Sequence, residues 1–252
     1  MSNEMVSHAQ REPALLGQTV VVIGGSAGIG LETARRARAE GAGVILSARN
    51  SERLQHAANE IGALRTAAFD ANDPAAVESF FHDLPSPIDH VMVTGPGPHY
   101  RPVMEVEFEQ ARIAVSEHIL VALWVARNAV HKVRPGGTLL FMGGTFGRRP
   151  RRGFALVSAV TAAMPAFVAG LALDLAPVRV NLIAAGFVDT PLSASLLGDD
   201  LEARRDELRA TLPIQRVVGP RDVAALAIHI MMNETLTGAT YDIDGGQQLV
   251  GS

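Results

Sequence analysis

The sequence predicts a single doubly wound α/β domain, in which helices cover both faces of a parallel sheet. Two observations lead to this fold class. Short apolar segments alternate with longer helical segments along most of the chain, as expected for βαβ units. A glycine-rich turn, GGSAGIG, joins the first apolar segment to the first helical one, and such a turn is typical of doubly wound folds that bind nucleotides.

The elements follow, in chain order, from hydrophobic periodicity and turn residues. Short apolar runs such as TVVVI are predicted to be buried strands, and longer runs with helical periodicity are predicted to be helices. The predicted strands are 19–23, 44–48, 66–69, 90–94, 138–142, 178–183 and 240–243. The predicted helices are 31–40, 53–61, 75–81, 108–133, 155–175 and 220–232.

No repeat or linker divides the chain into separate domains. Residues 1–16 are expected to form a flexible polar leader, and residues 17–252 a single domain. The segment 192–212 is polar and rich in arginine and glutamate, and we interpret it as an inserted helical flap. A solvated surface helix explains this segment equally well.

Composition argues against several classes of function. The net charge of −4 disfavours a nucleic-acid-binding surface. The absence of cysteine excludes disulfides, thiolate metal ligands and cysteine nucleophiles, and we expect no metal site. No apolar run is expected to reach the ~18 residues that span a bilayer, and the N-terminus lacks the apolar stretch of a signal peptide. We therefore expect a cytoplasmic protein that binds neither nucleic acid nor membrane.

The turn after the first strand has the spacing of a phosphate-binding loop. Gly24, Gly28 and Gly30 follow a predicted strand and open a predicted helix, which is the context that this pattern requires. Glycine lets the backbone turn tightly and approach a pyrophosphate, and the helix N-terminus offers unpaired N–H groups. A glycine-rich turn without a ligand is the alternative.

The spacing G-x-x-x-G-x-G resembles that of the short-chain dehydrogenase/reductase family, and the resemblance extends from about Gly17 to Gly246. AAFDAND resembles the family's acidic segment near the adenine, and VNLIAAGFVDT its segment after strand six, with Ala185 where proline is usual. LPIQRVVGPRDVA and TGATYDIDGG resemble its C-terminal signatures. The resemblance implies a nicotinamide dinucleotide held by Gly24, Ser26, Gly28, Ile29, Gly30, Asn50, Asp70, Thr94, Gly95, Gly186, Val188 and Thr190.

The end of the second strand indicates which cofactor is bound. An NAD enzyme of this fold places a carboxylate there to bind both ribose hydroxyls. This chain has Ala48 at that position, followed by Arg49, and a guanidinium suits a 2′-phosphate in charge and geometry. We therefore expect NADP(H); the alternative is that Arg49 is a solvated surface arginine.

The resemblance implies a catalytic set of asparagine, serine, tyrosine and lysine, but this chain has other residues at those positions. The register of the flanking segments gives, in that order, His118, Gly144, Val157 and Thr161. No tyrosine lies between Tyr100 and Tyr241, so no shift of register restores the tyrosine. Valine cannot transfer a proton, and threonine carries no charge that would lower the pKa of a neighbour.

Three residues are candidates for the missing roles. His118 titrates near neutrality, Thr145 can donate a hydrogen bond in place of the serine, and Tyr100 lies in the loop after the fourth strand. A buried structural histidine and a packing aromatic are the alternatives for His118 and Tyr100. An arginine cluster after the fifth strand either binds a carboxylate or phosphate or is a solvated or subunit-contact segment: Arg148, Arg149, Arg151 and Arg152.

The sequence thus predicts an NADP(H)-dependent oxidoreductase with an atypical active site, which transfers hydride to or from a small molecule. The alternative is a non-catalytic NADP(H)-binding sensor or partner subunit, which need not leave the nicotinamide open to a substrate. A family relative that has lost its cofactor is less favoured, because the glycine loop and Arg49 are present. The helices at 108–133 and 155–175 are apolar around most of their circumference. The resemblance places them at a subunit interface, and we expect a homotetramer.

Overall fold

The computed structural model describes residues 12–95 and 97–250. At its centre lies one sheet of seven parallel strands in the order β3-β2-β1-β4-β5-β6-β7. The strands are β1 (Thr19–Ile23), β2 (Gly43–Ala48), β3 (Arg65–Ala68), β4 (Ile88–Val93), β5 (Val133–Gly144), β6 (Arg179–Ala185) and β7 (Thr240–Ile243). This confirms the predicted doubly wound sheet.

Helices cover both faces of the sheet. They are α1 (Gly28–Ala39), α2 (Ser51–Ile61), α3 (Pro74–His82), α4 (Phe108–Val115), α5 (Val121–Ala129), α6 (Ala155–Asp174), α7 (Pro191–Leu197), α8 (Leu201–Thr211) and α9 (Pro220–Met232). Successive strand residues point to opposite faces, so Val21 packs with α3, α5 and α6 whereas Val20 and Val22 pack with α1, α2 and α9. Two apolar cores therefore hold the sheet between them.

The prediction of one continuous helix over 108–133 is wrong, because the helix is interrupted and ends before residue 133. Helix α4 ends at Val115, a π-helical turn spans Ser116–Leu120, and α5 ends at Ala129. Within the turn, Nδ1 of His118 lies 2.8 Å from the carbonyl oxygen of Ala114, and a side chain that takes a backbone carbonyl in this way loosens the helical ladder. Strand β5 begins at Val133 rather than at 138, through a register shift against β4.

Two other segments contain more regular structure than the sequence predicted. The predicted flap contains α7 and α8, joined by a short turn at Gly198–Asp200. The predicted leader is wrong at its C-terminal end, because residues 12–16 include a turn in which Leu15 is fully buried and donates its N–H to Glu40. The rest of the leader, residues 1–11, lies outside the described residues.

Helix α6 is long and apolar enough to cross a membrane by length and composition alone, with a mean hydropathy of 2.0 over its best window. This corrects the expectation that no apolar run reaches such a length. Val160, Met164 and Val168 on α6 are buried, and Met164 and Val168 pack into the core beneath the sheet. Packing on the sheet therefore accounts for part of its apolar composition, since 39% of that window is buried.

Candidate functional site

The phosphate-loop pattern lies at the carboxyl ends of β1 and β4, where the strand order reverses and doubly wound sheets bind ligands. Gly24 has a φ of +86°, and a Cβ atom there would come within 2.0 Å of Oγ1 of Thr94. A Cβ atom on Gly30 would lie 2.3 Å from the carbonyl oxygen of Gly24. Both positions therefore require glycine, because the loop, α1 and the end of β4 approach each other closely.

Two cavities meet at this crevice. The larger, here called the main cavity, has a volume of about 570 Å³ and lies between the glycine loop, the end of β5, α6 and α7. The smaller, here called the inner cleft, has a volume of about 280 Å³ and lies beside β2 and the end of β3. They share six lining residues, among them Ala27 of the glycine loop, Thr94, Gly95 and His118, so the glycine loop opens into both.

Most residues expected to hold a cofactor line one of these cavities. The main cavity is lined by Gly28, Ile29, Gly30, Gly186, Val188 and Thr190. The inner cleft is lined by Gly24, Ser26, Arg49 and Asp70. Asn50 has a different role: its Oδ1 accepts a hydrogen bond of 2.8 Å from the backbone N–H of Arg53 and caps α2.

The inner cleft contains a second arginine that the sequence analysis missed. Nε of Arg53 donates to Oγ of Ser26 at 3.3 Å, and Arg53 lines the cleft together with Arg49. Within the part of the chain that the structure describes, neither arginine forms an ion pair. The sequence contained a signal for Arg53. If Asn50 is the N-cap of the second helix, residue 53 lies on the first turn of that helix, next to the glycine loop.

The four positions implied for catalysis come together in the main cavity, which is lined by His118, Gly144, Val157 and Thr161. The hydroxyl of Thr161 is buried and donates to the carbonyl oxygen of Val157 at 2.7 Å. Thr145 also lines the cavity, and its backbone N–H donates to Ala185 at 3.1 Å. Thr161 therefore presents its methyl group rather than a free donor, whereas the hydroxyl of Thr145 forms no hydrogen bond with another described residue.

His118 lines both cavities from the π-helical turn. A carbonyl oxygen only accepts, so Nδ1 of His118 carries the proton that it shares with Ala114, and Nε2 of the neutral ring keeps its lone pair. Burial lowers the pKa of His118, against smaller opposing effects of this hydrogen bond and of the adjacent Glu117. Glu117 itself pairs with His99 at 3.0 Å. At neutral pH the His118 ring is therefore an acceptor.

An aromatic cluster forms part of the cavity wall, and sequence reasoning singled out only one of its members. The rings of Tyr100 and Phe154 stack with centroids 4.7 Å apart, and Phe146 meets them edge-on at 5.6 and 5.5 Å. Burial raises the pKa of Tyr100 to about 12. Its hydroxyl therefore stays protonated at neutral pH and is a poor acid.

The arginine cluster after β5 does not act as one group. Arg148 pairs with Asp242 at 2.5 Å, and Arg149 donates to the carbonyl oxygens of Gln248 and Val250. Arg151 lines the main cavity, and Arg152 is exposed outside it. Of the four arginines, only Arg151 thus both lines the cavity and has no side-chain partner among the described residues.

Comparison with known proteins gives the family. A family model described as enoyl-(acyl carrier protein) reductase matches residues 24–248. The short-chain dehydrogenase/reductase ATR9 of Stachybotrys chlorohalonatus is 28% identical over 93% of this chain and 98% of its own.

Solved structures agree with this result. The structure of MalC reductase/Diels-Alderase from Malbranchea aurantiaca has a TM-score of 0.88 at 25% identity, over 94% of this chain and 99% of its own. A small-chain dehydrogenase in complex with NADPH has a TM-score of 0.79 at 27% identity, over 92% and 99%. The chain therefore belongs to the short-chain dehydrogenase/reductase family of oxidoreductases.

Proposed function

We propose that the protein is an NADP(H)-dependent oxidoreductase that works without a tyrosine–lysine pair. The observation that carries the proposal is that the two cavities share lining residues, His118 among them, so a cofactor on the glycine loop would border a space of about 570 Å³, which is large enough for a small molecule. A sensor has no need of such a space. The NADPH complex and the MalC reductase among the similar structures support the same assignment.

The residues present fit the cofactor. Arg49 and Arg53 offer two unpaired guanidinium groups for a 2′-phosphate, and the glycines at 24 and 30 leave room that a side chain would fill. The backbone N–H groups at the start of α1 suit a pyrophosphate. The bound cofactor supplies or accepts hydride, and the remaining chemistry falls to the side chains of the main cavity.

The side chains of the main cavity are poor proton donors for a substrate. His118 is a neutral acceptor, and the phenol of Tyr100, with a pKa of about 12, is a weak donor of protons. Thr145 can donate a hydrogen bond but not a proton. A ketone needs a proton on its oxygen when hydride reaches carbon, and a positioned acid contributes roughly 10²–10⁴-fold to such a step. We therefore propose that ordinary ketones and secondary alcohols are poor substrates.

An iminium ion needs the least acid catalysis at this site, although the arginines on the cavity wall favour an acidic substrate over a cation. Its nitrogen is already cationic, so hydride addition at carbon gives a neutral amine without a proton donor. The aromatic cluster of Tyr100, Phe146 and Phe154 lies on the cavity wall, and Thr161 brings no positive charge where the family has lysine. An activated alkene is the second candidate, since Thr145 or His118 can stabilise the charge that gathers on its carbonyl.

Cofactor titration and turnover together test the proposal. NADPH should bind in calorimetric titration, and its absorbance should fall when a cyclic iminium ion or an enone is added. NADPH that binds but is consumed by no member of an iminium, enone and ketone panel would favour a sensor. The absence of binding would refute the cofactor assignment itself.

A further inference from the structure

The charged side chains that line the main cavity are all arginines. Arg149, Arg151 and Arg204 belong to its wall, and among the described residues no aspartate or glutamate does. Arg149 is occupied by the carbonyl oxygens of Gln248 and Val250. Arg151 forms no ion pair with a described residue, and Arg204 pairs with Glu207 through Nη1 alone, so these two arginines keep donors for the contents of the cavity.

Arg204 brings a positive charge from the flap to the cavity. It lies on α8, with its guanidinium carbon 6.0 Å from the ring centroid of Phe187. Its Nη1 donates to Glu207 at 2.5 Å, and its other nitrogens form no hydrogen bond with a described residue. The side chain is 23% exposed. The guanidinium is thus positioned by Glu207 at one nitrogen and by the ring of Phe187, while its other donors remain available.

Arg151 is the second available cation. Its backbone carbonyl accepts from Phe154, which fixes the loop beside the aromatic cluster. Its side chain forms no ion pair or hydrogen bond within residues 12–95 and 97–250, in contrast to Arg148 and Arg149 on the same loop. An unpaired arginine at the wall of a cavity attracts anions.

Another part of the cavity wall is apolar. Leu192 and Leu196 on α7 line it and are 47% and 49% exposed. The aromatic cluster of Tyr100, Phe146 and Phe154 supplies flat apolar faces. Exposed apolar side chains gathered at one site mark a surface that is covered in use, here by the body of a ligand.

We propose that the substrate is a bulky, planar apolar molecule that carries a carboxylate, and that Arg204 and Arg151 bind this carboxylate. The inference rests on the proposed function and specifies the substrate class of the same cavity. The phosphates of the cofactor have their own partners in the glycine loop, which borders both cavities, and in the arginines of the inner cleft. Together with the preference for an iminium ion, this makes the favoured substrate a zwitterion whose acid group lies away from the reacting carbon.

Calorimetry with two isosteric probes tests this inference without turnover. The protein saturated with NADP⁺ is titrated with 2-naphthoate and with 2-naphthamide, which differ in charge but hardly in shape. We expect the acid to bind roughly tenfold more tightly, and higher salt to reduce the difference because the arginines are partly exposed. Arg204→Gln should abolish most of the preference and Arg151→Gln part of it. Arg152→Gln, on the same loop but outside the cavity, should leave it unchanged.

Equal binding of acid and amide, or failure of both to bind at millimolar concentration, would overturn the inference. So would a loss of NADPH affinity in Arg204→Gln, since the arginine would then serve the cofactor. These results are distinct from failure of the proposed function. If the proposed function fails, NADPH itself would not bind, or no uncharged or cationic acceptor would consume it. Either result is independent of whether the protein prefers 2-naphthoate to 2-naphthamide.

Discussion

The ring of Phe146 lies against the place where a side chain on Gly144 would have to go. A Cβ atom on Gly144 would come within 3.0 Å of Cδ2 of Phe146 and within 3.4 Å of the methyl group of Thr161. Phe146 meets the stacked rings of Tyr100 and Phe154 edge-on, so moving it would disturb both contacts. The position at which the family resemblance implies a serine is thus crowded by apolar atoms, and a side chain there would require Phe146 to shift by a few tenths of an ångström.

Replacing Gly144 by serine should therefore destabilise the protein without creating ketone reductase activity. Forcing Phe146 aside should cost about 1–3 kcal/mol, as overpacking does elsewhere, and thermal unfolding measures the loss. The double variant Gly144→Ser, Phe146→Leu should recover part of it. A serine variant as stable as the wild type, or one that gains rapid ketone reduction, would contradict this account.

The two arginines of the inner cleft should set cofactor preference. Arg49→Gln should weaken NADPH binding roughly tenfold and leave NADH binding unchanged; the loss stays at the lower end because Arg49 is exposed. Arg53→Gln should have a smaller effect in the same direction, since Arg53 also bonds Ser26. Arg112→Gln, which removes a surface arginine paired with Glu109, is the control in calorimetric titration. Equal affinity of the wild type for both cofactors would refute the assignment.

His90 should make the protein less stable as the pH falls. Burial, with Arg179 and Arg134 nearby and Asp89 opposing, lowers the pKa of His90 to about 3. The unfolded chain, with an ordinary histidine pKa near 6.5, binds the proton first, so stability is lost on acidification through pH 6.5 towards 3. Between pH 7 and 5 this amounts to about 2 kcal/mol.

Denaturant unfolding at a series of pH values measures the effect of His90. His90→Gln keeps a partner for Gln18, which bonds the imidazole at 2.7 Å, and should remove this part of the pH dependence. His56→Gln, at an exposed position, should retain it. Identical slopes for the wild type and His90→Gln would show that His90 is not the source.

The predicted homotetramer is testable through exposed apolar side chains on the helices expected to form the interface. Phe108 at the start of α4 is 81% exposed and Leu173 on α6 is 83% exposed. Burying them between subunits would remove this apolar surface from water. Light scattering at micromolar concentration should give the mass of four chains, and Phe108→Glu should lower it. Leu64→Glu, exposed in the loop before β3, is the control. A monomeric mass for the wild type would contradict the prediction.

The sheet and the glycine loop could be predicted from the sequence because their signals are local. Apolar runs such as TVVVI predict buried strands without reference to distant residues, and Gly24 to Gly30 occupy one continuous turn. The π-helical turn could not be predicted, since the apolar periodicity runs through it and the disruption depends on one hydrogen bond of His118. The early start of β5 is hidden by RPGG, whose proline and glycines are typical of a turn.

The walls of the main cavity depend on tertiary structure. Tyr100 follows β4, whereas Phe146 and Phe154 lie in the segment between β5 and α6, and no spacing in the sequence connects Tyr100 with the other two. Arg204 was assigned only to a polar flap, because its contact with Phe187 requires α8 to fold back over the cavity. Residues that act through local backbone geometry were thus predictable, whereas those that act by converging from distant segments were not.

The ratio of two initial rates tests the central claim most directly. NADPH oxidation is followed with the cyclic iminium ion 2-methyl-3,4-dihydroisoquinolinium and with α-tetralone, a ketone of nearly the same shape. A site without a positioned acid predicts that the iminium ion reacts at least about 10²-fold faster. Rapid reduction of α-tetralone that survives both His118→Ala and Tyr100→Phe would contradict the account, because it would require an acid that the main cavity does not contain among its described residues.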